Sequence, residues 1–221
     1  MPEPMVPDHQ RLAAMRRSYT LGGLEEGDLA PTWVAMLQRW IDDAHAGGVR
    51  EPNAMVLATA SAGGRPNART VLLKGLDDAG LTFFTNYESA KGRELDANPQ
   101  ASIVFPWIDL QRQVRASGAV RRLDPAASDA YFATRPYGSR IGAAASPQSQ
   151  VIASRSVLEA TRDDLERRHP EHAGVPRPEH WGGYLLTPDE VEFWQGRPDR
   201  LHDRLVYRLR DGAWVTERLA P

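Results

Sequence analysis

From Pro52 to Thr85 the chain reads PNAMVLATASAGGRPNARTVLLKGLDDAGLTFFT. Three short β-type runs lie in it, Ala54 to Ala60, Arg69 to Leu73 and Leu81 to Thr85. The turn signals Ala62-Gly63-Gly64 and Asp77-Asp78-Ala79-Gly80 separate them. Neither connection can hold a crossover helix, so neighbouring strands are expected to pair as antiparallel hairpins. This argues against a Rossmann or any other parallel sheet.

The same texture continues outward through Ala101 to Phe105 and Gln113 to Arg121. It resumes late in the chain with Gly182 to Leu186, Val191 to Trp194, Leu205 to Leu209 and Ala213 to Arg218. Helical patterns interrupt it. Trp33, Met36, Leu37, Trp40, Ile41 and Ala44 keep helical spacing between Pro31-Thr32 and Gly47-Gly48. A second helix is expected from Ser89, placed to cap it, to Asn98 before Pro99. A third starts at Asp124-Pro125, which fits N-cap and first helical position, and runs through Tyr131 and Phe132. A fourth starts near Ser156, in capping-box spacing with Glu159, and ends about Arg168. Three prolines make His169 to Pro178 a loop. The expected architecture is mainly β with helices: one antiparallel barrel with helices packed at its side. A mobile arm is expected over residues 1–18, then a single domain over residues 19–221 with a helical insert at about 124–169.

The chain has 221 residues, 41% of them hydrophobic and 25% charged. Roughly 70% of the unfolded surface of such a chain is buried on folding. Disorder, collagen and coiled coil are excluded. No apolar run approaches the roughly 18 residues of a membrane helix, and MPEPMVPDHQ has no secretory pattern, so a cytoplasmic location is expected. The absence of cysteine removes disulfides, thiolate nucleophiles and cysteine metal sites. A net charge of −2 lacks the overall footprint of a nucleic-acid binder. Of 27 cationic side chains only Lys74 and Lys91 are lysine. A lysine offers a compact charge where arginine offers a fork, so these two positions stand out.

P-loop, GxGxxG, HExxH, EF-hand and GxSxG patterns are missing. His169, His172 and His180 read as solvated loop histidines, and no metal is expected. Cation and hydroxyl clusters suited to phosphate remain. In Arg69 to Lys74, alternation puts Arg69 with Val71 and Leu73 and opposes them to Thr70, Leu72 and Lys74, so the two charges need not serve one anion. Thr85, Ser89 and Lys91 lead from a strand end into a helix N-terminus, which favours anions; an ordinary capped surface helix is the plainer alternative. Tyr131 and Arg135 share a face if the helix continues that far, with Ser139 and Arg140 beyond; a Tyr packed under a surface Arg explains the spacing equally well. Gln148-Ser149 is a polar loop pair. Arg197, Arg200, His202 and Arg204 crowd beside Trp194, where a charged hairpin loop over a core Trp is the alternative.

Taken together, Arg69-Thr-Val-Leu-Leu-Lys74, Phe84-Thr85-Asn86, Phe105-Pro-Trp107, Gln111-Arg-Gln113, Ser139-Arg-Ile-Gly142, Gln148-Ser149, Trp181-Gly-Gly183, Glu192-Phe-Trp-Gln-Gly196, Arg200-Leu-His-Asp-Arg204 and Arg218-Leu-Ala-Pro221 resemble the pyridoxamine 5′-phosphate oxidase family. The likeness runs in order from about Arg16 to Pro221, and the shared ending implies a complete C-terminus. It implies an antiparallel Greek-key, FMN-binding split β-barrel, active as a homodimer with FMN in two clefts at the subunit interface. The implied reaction oxidises pyridoxamine or pyridoxine 5′-phosphate to pyridoxal 5′-phosphate with dioxygen. It releases hydrogen peroxide, and ammonia from the amine, as a step of vitamin B6 biosynthesis and salvage. No nucleic acid or membrane partner is implied.

By position, the resemblance assigns FMN to Arg69, Thr70, Val71, Leu72, Leu73, Lys74, Phe84, Thr85, Lys91, Gln113, Gln148, Ser149, Trp194 and Arg204. It gives the substrate phosphate to Lys74, Tyr131, Arg135 and Ser139. Arg200 and His202 are the implied catalytic pair over the pyridine ring, and Arg16, Arg17, Ser18 and Tyr19 form a segment that folds over substrate. Two positions depart from the family pattern. Ala90 stands where an Arg often precedes the lysine, so either one phosphate contact is lost or Arg93 takes its place. Phe84 replaces the usual Tyr. Two phosphates at −1.5 to −2 charge each account for a locally cationic site in a net-negative chain. Cations or amides near the flavin N1 and C2=O would lower the barrier to hydride transfer from C4′ to N5, with Arg204 and the glutamines as candidates. Two alternatives differ in chemistry: a split-barrel reductase using FMN or a deazaflavin, and a non-catalytic store of FMN or pyridoxal phosphate. The first leaves Arg200, His202 and the Tyr131/Arg135/Ser139 set without a purpose.

Overall fold

A computed structural model describes Leu12, Met15 and residues 17–221; Arg16 lies outside the described residues. All strand pairs are antiparallel. They are β1 (Ala54–Ala60), β2 (Pro66–Leu72), β3 (Gly75–Asp77), β4 (Gly80–Asn86), β5 (Gln100–Trp107), β6 (Arg112–Arg122), β7 (Trp181–Gln195), β8 (Asp203–Arg210) and β9 (Ala213–Arg218). The order is β2-β1-β5-β6-β7-β4-β3, with β8 and β9 added beside β7. Strand β2 passes almost directly into β3, and Lys74 N donates to Thr82 O of β4 at 2.8 Å. The sheet that begins at the β1 side therefore closes at β4, and Lys74 sits at the closure.

The barrel interior is apolar: Met55, Leu57, Leu81, Phe83, Ile103, Phe105, Val114 and Phe193 are all at most 1% exposed. Helix α1 (Trp33–Ala46) packs Met36, Leu37 and Trp40 into the same core, and Thr32 caps it by accepting from Ala35 N at 3.2 Å. Helix α2 (Ala90–Ala97) is capped by Ser89, which accepts from Gly92 N. Helices α3 (Pro125–Thr134), α4 (Tyr137–Ala145) and α5 (Arg155–Arg168) form the insert, with a second small core of Phe132, Ile141, Leu165, Val175 and Trp181.

Four expectations need correction. The two late runs Gly182 to Leu186 and Val191 to Trp194 are one strand of 15 residues, because β6 absorbs Pro188 and Asp189 at a bulge between Ser117 and Gly118. Gly118 makes that possible: a Cβ there would lie 2.1 Å from Thr187 O. The third helix runs through Tyr131 and Phe132 as expected, but its continuation to Arg135 fails: it stops at Thr134, since Pro136 forces Arg135 into extended backbone (φ −73°, ψ 146°), and a separate helix α4 follows. Helix α5 is preceded by Ser154 as N-cap rather than Ser156, and Glu159 pairs with Arg155 at 2.8 Å instead of closing a capping box. The run Arg69 to Leu73 does not pair with Leu81 to Thr85: β2 pairs with β1 alone, and the hairpin partner of β4 is the short strand β3 within the Lys74 to Asp77 connection. Among the described residues, no helix is long and apolar enough to cross a membrane.

Candidate active site

Two clefts collect the candidate residues, and they lie at opposite ends of β7. The first is a cavity of about 300 Å³ under the barrel closure, lined by Thr70, Val71, Leu72 and Lys74 from the β2–β3 passage, Phe84 and Thr85 from β4, Lys91 from α2, Tyr131 and Arg135 at the end of α3, and Gln148 and Trp181. Three cations and no carboxylate line it. Lys91 Nζ is buried and donates to Thr85 Oγ1 (3.1 Å), Gln148 Oε1 (2.9 Å) and Ser89 Oγ (3.4 Å). All three partners are neutral, and burial together with the nearby Arg69 pushes the ammonium down to about 8. Arg135 Nη1 is buried without a hydrogen-bond partner, and burial lowers the pKa of that guanidinium. A buried ammonium whose hydrogen-bond partners are all neutral and a buried guanidinium nitrogen without a partner are costly unless an anion joins them, so the cavity fits a phosphate-bearing ligand. An adjoining chamber of about 370 Å³ shares Arg135, Gln148 and Trp181 and adds Ser139.

The second cleft, of about 780 Å³, is lined by Arg17, Ser18, Tyr19, Trp194, Arg197, Arg200, His202 and Pro221 among others. Asp199 and Arg200 stand in left-handed backbone (φ 56° and 64°), an uncommon conformation for non-glycine residues that recurs at functional loops. His202 Nδ1 accepts from Arg197 N at 3.1 Å, so the neutral ring carries its proton on Nε2 as a donor. Tyr19 packs edge-on to Trp194 at 5.8 Å and lies 5.6 Å from His202. Its ring covers Gly196, where a Cβ would come within 2.8 Å of it.

Gln113, Trp194 and Arg204 form one row across β6, β7 and β8, since Gln113 pairs with Trp194 and Trp194 with Arg204. Arg204 is not a free cation. Its Nε donates to Glu192 Oε1 at 2.8 Å and its Nη1 to Ala220 O at 2.9 Å. Glu192 is buried; that burial works against its charge, but hydrogen bonds from Arg204 and Arg115 hold its carboxyl below the usual range.

Other candidates fall outside both clefts. Arg69 does not line the cavity; it pairs with the buried Glu94 at 3.1 Å. Leu73 is in the core, and Ser149 is an exposed loop residue at φ 71° that does not line the cavity. Arg93 does not replace the missing arginine at Ala90: its guanidinium turns back to Glu88 O and lines another depression. Tyr131 and Arg135 do meet at the cavity, though by the turn before Pro136 rather than by helical spacing. The sequence reading missed Trp181 as a lining residue, and only its place in Trp181-Gly-Gly183 could have signalled it.

Comparison with known proteins places this geometry. Residues 41–168 match the family described as "Pyridoxamine 5'-phosphate oxidase". Residues 181–221 match the "Pyridoxine 5'-phosphate oxidase C-terminal dimerisation region". A pyridoxine/pyridoxamine 5′-phosphate oxidase of Cupriavidus necator is 54% identical over 212 residues, covering 96% of this chain and 99% of its own. One from Pseudomonas paraeruginosa is 55% identical over 218 residues, with coverage of 96% and 99%. Among solved structures, PhzG from Burkholderia lata, in complex with tetrahydrophenazine-1-carboxylic acid, superposes with a TM-score of 0.86 at 34% identity, over 93% of this chain and 100% of that one. A pyridoxamine 5′-phosphate oxidase-related, FMN-binding protein from Nostoc punctiforme shares the fold at a TM-score of 0.68 and 21% identity, over 88% of this chain and all of the other.

Proposed function

Because the chain belongs to the pyridoxamine 5′-phosphate oxidase family of enzymes, we propose that it binds FMN as a homodimer and oxidises pyridoxamine and pyridoxine 5′-phosphates to pyridoxal 5′-phosphate, reducing dioxygen to hydrogen peroxide. The observation that carries this reading is the carboxylate-free cavity in which Lys74, Lys91 and the partnerless Arg135 Nη1 converge. Bound FMN supplies a two-electron acceptor that dioxygen can regenerate. Everything else falls to this chain's side chains. Lys91, Thr85 and Gln148 hold the cofactor phosphate, while Lys74, Tyr131, Arg135 and Ser139 hold the substrate phosphate. Arg200 and the Nε2–H of His202 orient the pyridine ring from the other side, and Tyr19 excludes water above them. Positioning of this kind makes transfer effectively unimolecular. For the amine, water then releases ammonia and the aldehyde, which closes the balance of one dioxygen and one water consumed per peroxide and ammonia formed.

The two clefts support the shared site. Trp181 and Trp194 stand near opposite ends of β7, and thirteen residues of strand span up to about 43 Å at ~3.3 Å per residue. Within one chain the two clefts share no lining residue. A two-fold dimer sets the β7 end of one copy against the β7 start of the other, in keeping with the dimerisation region matched at residues 181–221.

Lys74 is exposed and its ammonium has no hydrogen-bond partner among the described residues. Lys74→Ala should raise KM for phosphorylated substrates about ten- to hundredfold, the scale of a charge-assisted hydrogen bond of roughly 1.5–3 kcal/mol, with little change in Tm. Unaltered steady-state constants would make it a mere surface charge.

Lys91 gives a pH signature. Its ammonium is depressed in the free protein, so between about pH 8 and its unfolded value the native state binds fewer protons, and the Lys91 contribution to stability rises with pH. A phosphate dianion favours the charged form, so FMN binding should take up protons above about pH 8, and affinity should fall as pH climbs further. Calorimetry in buffers of differing ionisation enthalpy reads this uptake; Lys91→Met should abolish it, and uptake that persists in this variant assigns it elsewhere.

The reading as a whole is tested on the purified protein. It should be yellow, release its flavin on denaturation, and consume oxygen with pyridoxamine 5′-phosphate. A protein that takes up no added FMN would overturn the assignment, and one that holds FMN without turnover would be a store.

A further inference from the structure

Trp181 belongs to neither expected residue set, yet the cavity is organised around it. It is buried at the first position of β7, opposite Asn86 of β4. The start of β7 is fastened to α3 from two sides. Arg177 donates to Trp181 O at 2.7 Å and pairs with Asp129 at 2.6 Å, while the buried Ser128 accepts from Gly183 N at 3.1 Å. The two glycines that follow let other rings close in. A Cβ on Gly182 would sit 2.0 Å from the Tyr87 hydroxyl, and one on Gly183 would sit 2.8 Å from the Phe84 ring.

Aromatic rings gather on the indole. Phe84 lies nearly parallel to it at 5.5 Å and Tyr131 at 6.3 Å, Phe84 and Tyr131 stack on each other at 3.9 Å, and Phe132 meets it edge-on at 5.0 Å. The guanidinium of Arg135 rests over the same indole, its Cζ 4.6 Å from the ring centroid. Arg135 needs such support. It follows the last residue of α3 in extended backbone, no carboxylate pairs with it among the described residues, and its Nη1 is buried without a partner. A cation on a Trp face out of water is held electrostatically without spending its N–H donors. A carboxylate partner would have neutralised the charge that an anion is to meet.

We propose that Trp181 is the positioning residue of the phosphate-binding end: its indole holds Arg135 by the ring face so that the free guanidinium edge meets a phosphomonoester dianion. The inference rests on the proposed oxidase reading of this cavity. Acting through Arg135, Trp181 contributes to recognition of the phosphate and leaves the chemical step alone.

The test compares holoenzymes of the parent, Trp181→Leu, Trp181→Phe, Arg135→Ala and the double variant Trp181→Phe/Arg135→Ala. Steady-state kinetics with pyridoxamine 5′-phosphate, inhibition by inorganic phosphate, flavin content and Tm are measured together. Trp181→Leu should raise both KM and the phosphate inhibition constant about tenfold, the order of a desolvated cation–π contact, with kcat within about twofold of the parent. Trp181→Phe keeps a weaker ring face, so it should fall between the two and remain measurable if the leucine variant folds poorly. Its effect on KM should vanish once Arg135 is alanine, because residues acting through one another are not additive. If Trp181→Phe shifts KM equally with and without Arg135, or lowers kcat and flavin content together, Trp181 is structural packing and the inference fails while the oxidase reading stands. If Arg135→Ala itself keeps parent KM and phosphate inhibition, the assignment of this cavity to the substrate phosphate fails, and the role of Trp181 with it.

Discussion

Arg200→Ala and His202→Ala should each keep a full complement of FMN and lose on the order of 10²-fold in kcat/KM, the penalty of a misplaced reactant. Neither side chain lines the cation-rich cavity; both lie in the cleft at the other end of β7, beside Trp194. The loop carrying them is held in an uncommon shape. Asp199 and Arg200 are both left-handed, and the buried Asp203 that follows anchors it by accepting from Leu24 N at 2.9 Å and Arg218 at 2.7 Å. Arg200 is exposed and makes no ion pair among the described residues, so its charge is available to a ligand. His202, with Nδ1 already accepting from Arg197 N, offers its Nε2 proton as a hydrogen-bond donor rather than acting as a base. Removing either group should leave the loop in place and misorient the pyridine ring. Flavin-to-protein ratio after gel filtration, measured beside turnover, separates the roles, and flavin lost from both variants would move these residues to the cofactor site.

The second large effect concerns assembly. Apo-protein should dissociate into single chains at far higher concentration than holo-protein, because a cofactor bound only by the dimer stabilises it by mass action. At a hundredfold excess over its dissociation constant each bound ligand contributes about 2.7 kcal/mol, or roughly a hundredfold in the dimer's own equilibrium. Leu201, between the two proposed ring-orienting residues, is 70% exposed in the single chain. An apolar side chain so placed beside this cleft fits burial against a second copy. Sedimentation over a dilution series, with and without FMN, measures the linkage. A chain that stays monomeric while holding one FMN and turning over would contradict the shared cleft.

The β1–β2 hairpin was legible because its connection is too short for any other pairing, whereas the expected partner of β4 across the Asp77–Gly80 turn gives way to the short β3; Arg69 and Lys74 do part, Arg69 to Glu94 and Lys74 to the cavity. What escaped depends on contacts distant in sequence. Thr187-Pro-Asp looks like a turn until Gly118, some 70 residues earlier, makes room for it in a bulge. Helical spacing linked Tyr131 to Arg135, and Pro136 breaks that helix yet leaves the two residues at one cavity. Arg93 looked like a stand-in for the arginine absent at Ala90 because it is one turn away, but that turn points it at Glu88 O. Trp181 carried no signal of its own, since a buried indole reads as core until the guanidinium over it is seen.

Strand β7 also makes a genetic statement. One end of it stands by the phosphate cavity and the other by the ring-orienting cleft, and in a two-fold dimer those ends serve different active centres. Two alleles, one disabled at Lys91 and the other at His202, would each encode an inactive homodimer. Expressed together they would form mixed dimers in which one centre inherits both lesions and the other inherits neither. Intragenic complementation, with activity restored to at most one centre of each mixed pair, is the heritable consequence of laying a single strand across two sites.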